Sequence, residues 1–218
     1  MRMKGAFDVY MILNFAVAYF APVIIWIVWK RKSSARTFPL IVGMISYMFI
    51  SLARGMVRVV ILNDGLKQTP WLFYLVSAFL TGVFEEVGRY IVFRYAISNY
   101  DRWSDCVSYG IGHGAIEIML THNIMENTIY DSMVEWYYFI MLILLSVSMS
   151  VLVFASAHHT DNKKFIAAAV GLHAIIDFIL AGYRLGVLTI EGAMFIDNLY
   201  TIGVCYLAYR VYHYYREY

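Results

Sequence analysis

Residues 71–97 read WLFYLVSAFLTGVFEEVGRYIVFRYAI, an apolar run interrupted by Glu85, Glu86 and Arg89. A helix needs about 20 apolar residues to cross a bilayer, and this run is long enough. A soluble protein could expose three charges within five positions, but the rest of the chain points to lipid. Of its 218 residues, 61% are hydrophobic and 15% charged, and mean hydropathy is positive. Those values are unusual for a soluble domain and ordinary for a polytopic helical membrane protein. The two cysteines, Cys106 and Cys205, form no C-x-x-C pair. They indicate neither a disulfide framework nor a cysteine zinc site.

The length criterion gives an all-α transmembrane bundle of about seven spans: about 7–29, 38–61, 71–97, 104–124, 134–157, 165–183 and 193–212. The first is too long for a cleaved signal and ends in Lys30-Arg31-Lys32. No internal repeat or low-complexity tract divides the chain, so residues 1–218 read as a single integral-membrane domain whose site-bearing core runs from about 71 to 183. Lys30, Arg31, Lys32, Arg36, Arg94, Arg102, Lys163, Lys164, Arg210 and Arg216 fall on one side of these spans, against Arg2, Lys4, Lys67 and Arg184 on the other. The excess marks the cytoplasmic side, which puts the N-terminus outside and the C-terminus inside.

A charge at the centre of a membrane helix costs roughly 2.5–3.5 kcal/mol on the insertion scale, so it needs a partner or a function. Span 3 carries Glu85, Glu86 and Arg89, span 4 His113 and Glu117, span 6 His173 and Asp177. Glu85 and Arg89, His113 and Glu117, and His173 and Asp177 are each spaced i, i+4, which places them on one helix face. At about 1.5 Å rise per residue, Glu85 lies roughly 13–18 Å from the cytoplasmic boundary, His113 about 14 Å and His173 about 12 Å. Three polar stripes therefore meet at one level.

A structural ion pair explains one carboxylate beside Arg89. Two adjacent acids leave one for proton transfer or metal ligation. His113 alone is as readily a core histidine, with Gly110, Gly112 and Gly114 around it letting another helix approach. With His173 at the same depth, two imidazoles and carboxylates make a zinc set of Glu85, His113, Glu117 and His173. The same groups could polarise a water without metal, a glutamate taking its proton and a histidine stabilising the oxyanion. His158 and His159, beside Asp161, read as a membrane-edge loop, and His122 and His213 as interfacial. Arg54 and Arg58 counter buried acids or headgroups, and Asp197 and Asn198 line the cavity at most weakly. No H-E-x-x-H, G-x-S-x-G or P-loop occurs. No lysine lies in spans 3 to 7, which excludes a retinal Schiff base.

The order Glu85-Glu86-x-x-Arg89, Gly112-His113-Gly114-x-x-Glu117 and His173-Ala-Ile-Ile-Asp177 resembles the YhfC family of intramembrane metalloproteases. That family is grouped with CAAX prenyl endopeptidases, bacteriocin-processing proteases and PrsW-type site-1 proteases. The resemblance covers roughly Gly82 to Gly182. It implies that Glu85 activates the attacking water with support from Glu86 and Arg89, and that His113, His173 and Asp177 complete the site. Tyr109 stands where a phenylalanine is usual, and Phe154-x-x-x-His158 also fits the second motif. The E-E-x-x-R spacing is one residue shorter than in the prenyl endopeptidases, and Asp177 replaces their usual asparagine. The resemblance implies a peptidase of a bacterial plasma membrane, acting on a membrane protein or peptide and surrounded by lipid, with no nucleic-acid partner. The rival reading is a non-enzymatic transporter or binding protein using the Glu/His cluster for protons or cations, or an inactive protease-like scaffold.

Overall fold

Long apolar runs with few prolines can satisfy their backbone in lipid only as helices, and every regular element described is helical. The computed structural model describes residues 3–62, 64–121, 129–159 and 163–216. The elements are α1 Met3–Ser33, α2 Thr37–Ile61, the short α3 Asp64–Lys67, α4 Pro70–Ile91, α5 Trp103–Thr121, α6 Ile129–Phe154, α7 Lys164–Arg184 and α8 Ile190–Arg216. Pro70 opens α4 in the first turn, where its missing N–H costs nothing. A π-helical turn extends α4 through Val92–Ala96 and another extends α6 through Ala155–His159.

The bundle is apolar outside and partly polar inside. Phe49, Leu52, Val59, Phe79 and Phe195 are exposed, whereas Glu85, Glu86, Arg89, Ser108, His113 and Ser150 are buried. Lipid provides no hydrophobic drive to press helices together, so small and polar residues take over at their contacts. By length and composition, Ile12–Ser33, Thr37–Ile61, Pro70–Ala96, Met133–His159 and Lys164–Arg184 could each cross a membrane. Helices α5 and α8 match the other two expected spans in position but fall outside that set. Helix α5 bears Asp105, His113 and Glu117, and α8 bears Glu191, Asp197 and Asn198. A helix enclosed by its neighbours can carry such residues because they do not face lipid.

Helix α5 is the enclosed one, packed against α1, α2 and α6, while α4 packs chiefly on α7. Glycines set these distances. Gly112 lies against the Leu40 carbonyl of α2, and Gly43 of α2 lies against the Tyr109 carbonyl of α5. On the other side, a Cβ at Gly110 would stand 2.7 Å from Val147 Cα of α6, and one at Gly114 would stand 3.0 Å from Ser146 Cβ. Gly82 does the same for α4 and α7, where a Cβ would stand 2.6 Å from the Val170 carbonyl oxygen. Polar ties close the end that carries the basic loops: Arg36 pairs with Asp105, Trp29 Nε1 donates to the Ser104 carbonyl at 3.2 Å and Arg94 to the Ala157 carbonyl at 2.8 Å.

Candidate functional site

Successive residues on a helix diverge by about 100°, so Glu85 and Glu86 face different neighbours. Glu85 is directed toward α2 and α5. Its Oε1 accepts from Arg54 Nη1, and its Oε2 lies 3.5 Å from His113 Nε2. Glu86 is directed toward α7, where His173 Nδ1 lies 2.7 Å from its Oε1. The other nitrogen of that ring returns to the first acid, with His173 Nε2 3.9 Å from Glu85 Oε2. One carboxylate oxygen therefore faces imidazoles from two helices.

Arg89 lies beneath both acids and is itself buried. Its Nη2 is 3.9 Å from Glu85 Oε2 and its Nε is 3.6 Å from Glu86 Oε2. On α6, Nη1 donates to the Ser146 carbonyl at 2.6 Å and to Ser150 Oγ at 2.9 Å. Span 5 has no mid-membrane histidine, and it supplies serines here instead. Their signal in the sequence is the alternation Ser146-x-Ser148-x-Ser150 inside an otherwise apolar helix. Beside Arg89, Glu85 has a second arginine within reach, on α2. Arg54, read only as a general counter-charge, is the direct partner of Glu85.

A cavity of about 200 Å³ reaches this cluster, lined by Arg54, Glu85, Glu117, His173 and Asp177 among others. Water occupies roughly 30 Å³ per molecule, so several waters fit. A smaller space of about 40 Å³ adjoins it and is lined by Glu117, His173, Asp177 and Asp197. Of the expected site residues, Glu85, Glu86, Arg89, His113 and His173 contact one another directly, while Glu117 and Asp177 border the same space. His113 presents its ring edge-on to Tyr47, centroids 4.8 Å apart, and Tyr109 hydrogen-bonds Ser46 at 2.7 Å.

The donor set suits a metal. Ligand atoms of Glu85, His113 and Glu117 all lie within 4.8 Å of one another. His113 Nδ1 is buried with no hydrogen-bond partner among the described residues. His173 stands outside that trio, held by Glu86. A carboxylate behind the ring commonly orients a metal-binding histidine in this way. The competing second motif, Phe154-x-x-x-His158, lies elsewhere: His158 packs on Phe93 and Phe154, and His159 stacks on Trp103 at 4.8 Å. His213 borders a separate surface cavity with Lys164. His122 and Asp161 lie outside the described residues.

Residues 17–134 match the model of the YhfC intramembrane metalloprotease family. The chain belongs to the YhfC intramembrane metalloprotease family. The matched residues include Glu85, Glu86, Arg89, His113 and Glu117, whereas His173 and Asp177 lie beyond them. The chain is also similar to the "Uncharacterized membrane protein YhfC" of Bacillus subtilis (strain 168), 30% identical over 118 residues. That similarity takes in 51% of this chain and 46% of the relative, so it spans about half the relative's length. No solved structure matches the chain. YhfC membership, an all-helical bundle and five helices of membrane-crossing length and composition make this a membrane protein.

Proposed function

We propose that this YhfC protein is an intramembrane peptidase that hydrolyses a peptide bond of a membrane protein or peptide in the bacterial plasma membrane. The observation that carries the reading is the approach of His113 Nε2 (3.5 Å) and His173 Nε2 (3.9 Å) to the same oxygen of Glu85, beside a cavity wide enough for water.

In this reading Glu85 is the general base. Its Oε2 takes a proton from a cavity water, the water oxygen bonds to the peptide carbonyl carbon, and Glu85 returns the proton to the leaving amine as the C–N bond breaks. Glu86, an acceptor when ionised, takes the Nδ1 proton of His173 in a hydrogen bond and so leaves the Nε2 lone pair facing the reacting space. Arg89 holds both acids to α6. Before water can be activated, Arg54 must loosen its hold on Glu85. His113 and Glu117, with His173 beside them, would hold a zinc ion next to Glu85. Such an ion supplies Lewis-acid polarisation when bound.

Incubating the purified protein with a library of membrane peptides tests the reading, with Glu85→Gln as the control. Cleavage that disappears in Glu85→Gln is the expected result. Proton or cation transport without cleavage would overturn it in favour of the non-enzymatic class. The Arg54–Glu85 ion pair favours that alternative, because a base held by a guanidinium is a poor base.

A further inference from the structure

The cavity that reaches Glu85 has a mouth, and its chemistry differs from that of its floor. Helix α2 lies antiparallel to α4: Arg54 meets Glu85, and one turn further along Arg58 Nη2 donates to Ser77 Oγ at 2.6 Å. The last residue of α7, Arg184, lines the same cavity. Arg58, Ser77 and Arg184 mark the end that carries the α2–α3 and α7–α8 connections, opposite the basic loops. Among the described residues, neither Arg58 nor Arg184 has a carboxylate within ion-pair distance. Deeper in the cavity Arg54 and Arg89 lie on Glu85 and Glu86, and Glu117 and Asp177 add two further acids to the lining. Two guanidiniums thus line an aqueous mouth with Asp177 further in and no carboxylate of the described residues gripped in a fork, the geometry for which arginine is best suited.

We propose that Arg58 and Arg184 form an acid-binding mouth that accepts an Asp or Glu side chain of the substrate peptide. The assignment rests on the peptidase reading above. A lipid phosphate would satisfy the guanidinium of Arg184, which is exposed at the end of α7, whereas Arg58 is half-buried beside Ser77. Both side chains line the cavity that reaches Glu85. The spacing defines the substrate. Ser77 and Glu85 are separated along α4 by about 12 Å at 1.5 Å per residue. An extended peptide covers about 3.3–3.6 Å per residue, so the acidic residue stands about three to four positions from the scissile bond. The chain beyond it continues out through the mouth.

The test reads occupancy of the cavity, not turnover. In a Cys106→Ala/Cys205→Ala background, Leu180→Cys places a thiol in the cavity wall one turn inward of Arg184. Its modification rate with N-ethylmaleimide is followed in purified protein while capped apolar peptides are added. One peptide carries a single Asp, its twin carries Asn, and a third ends in a free carboxylate at the same position. The Asp peptide is expected to slow modification at concentrations about tenfold below the Asn peptide, the discrimination a charge-assisted hydrogen bond supplies. In Arg58→Gln/Arg184→Gln the two peptides should become equivalent. Tyr74→Cys, on the facing helix, reports the same cavity if Leu180→Cys does not accumulate.

Equal protection by Asp and Asn, no protection by either, or discrimination that survives the double substitution would overturn the proposal. So would protection by the free carboxylate alone, or by vesicles of anionic lipid without peptide. A protein that discriminates Asp from Asn yet never cleaves refutes the peptidase assignment and leaves the acid-binding mouth standing.

Discussion

His173 Nδ1 lies 2.7 Å from Glu86 Oε1, joining α7 to α4 across 87 residues of sequence. With Glu86 ionised, this contact requires a proton on Nδ1, because an ionised carboxylate can only accept. It also aims Nε2 at Glu85, 3.9 Å away. In the proposed peptidase, Glu86 acts as a positioning residue whose effect passes through His173.

Replacing Glu86 with glutamine keeps the shape and removes the obligatory acceptor. The amide can offer N–H in place of oxygen, and the ring loses its fixed tautomer. Loss of such an outer partner commonly costs about 10–100-fold in metal affinity or activity. Glu86→Gln should lower zinc binding, read by competition with a chromophoric chelator, by that factor, and Glu86→Asp should recover part of it. A purely structural Glu86 would instead lower thermal stability and leave zinc affinity unchanged.

Arg89 is buried, and its contacts reach two acids and two serines on α6. Arg89→Met removes the charge and leaves Glu86 without an arginine within ion-pair distance. Breaking a buried pair in this way costs about 3–5 kcal/mol. Ser150→Ala removes one neutral donor–acceptor contact and should cost about 1 kcal/mol. Thermal unfolding in detergent checks both, and the test fails if the two variants melt together.

The site was legible in the sequence wherever helical periodicity acts. The i, i+4 pairs in α4, α5 and α7, together with equal depth, were enough to expect Glu85, His113 and His173 near one another. Partners that share no repeat with the site were not legible. Arg54 meets Glu85 because α2 packs on α4, where Gly88 lies against the Ile50 side chain. Ser146 contributes a backbone carbonyl, which no residue-type pattern records. The span count shows the same limit: enclosure by α1, α2 and α6 lets α5 carry acids, and hydropathy along the chain does not report enclosure.

The direction of the cavity combines with the charge bias to predict a topology. Arg58 and Arg184 open it at the end away from Lys30, Arg94 and Lys164, which the positive-inside rule assigns to the cytoplasm. In the cysteine-free background, Leu180→Cys should react with a membrane-impermeant thiol reagent added to intact cells. A cysteine at Lys32 should react only after the membrane is permeabilised. The reverse pattern would invert the bundle and bring water to Glu85 from the cytoplasm.

Helix approach gives the last prediction, which depends on sign as well as size. An added methyl at Gly112 collides with the Leu40 carbonyl, a backbone atom that cannot rotate away. Overpacking of this kind costs about 1–3 kcal/mol. It also pushes α5 from α2, shifting His113 against Tyr47 and Glu85, so Gly112→Ala should lose stability and metal binding together. A methyl added at Gly203, in α8, would meet nothing within 4 Å, and alanine there gains helix propensity of about 1 kcal/mol or less. Gly203→Ala should therefore melt at or above the parent temperature with zinc affinity intact. If Gly112→Ala melts like Gly203→Ala, the α2–α5 contact is looser than the glycine approach implies, and the geometry of the Glu85 cluster must be set by α4 and α7 alone.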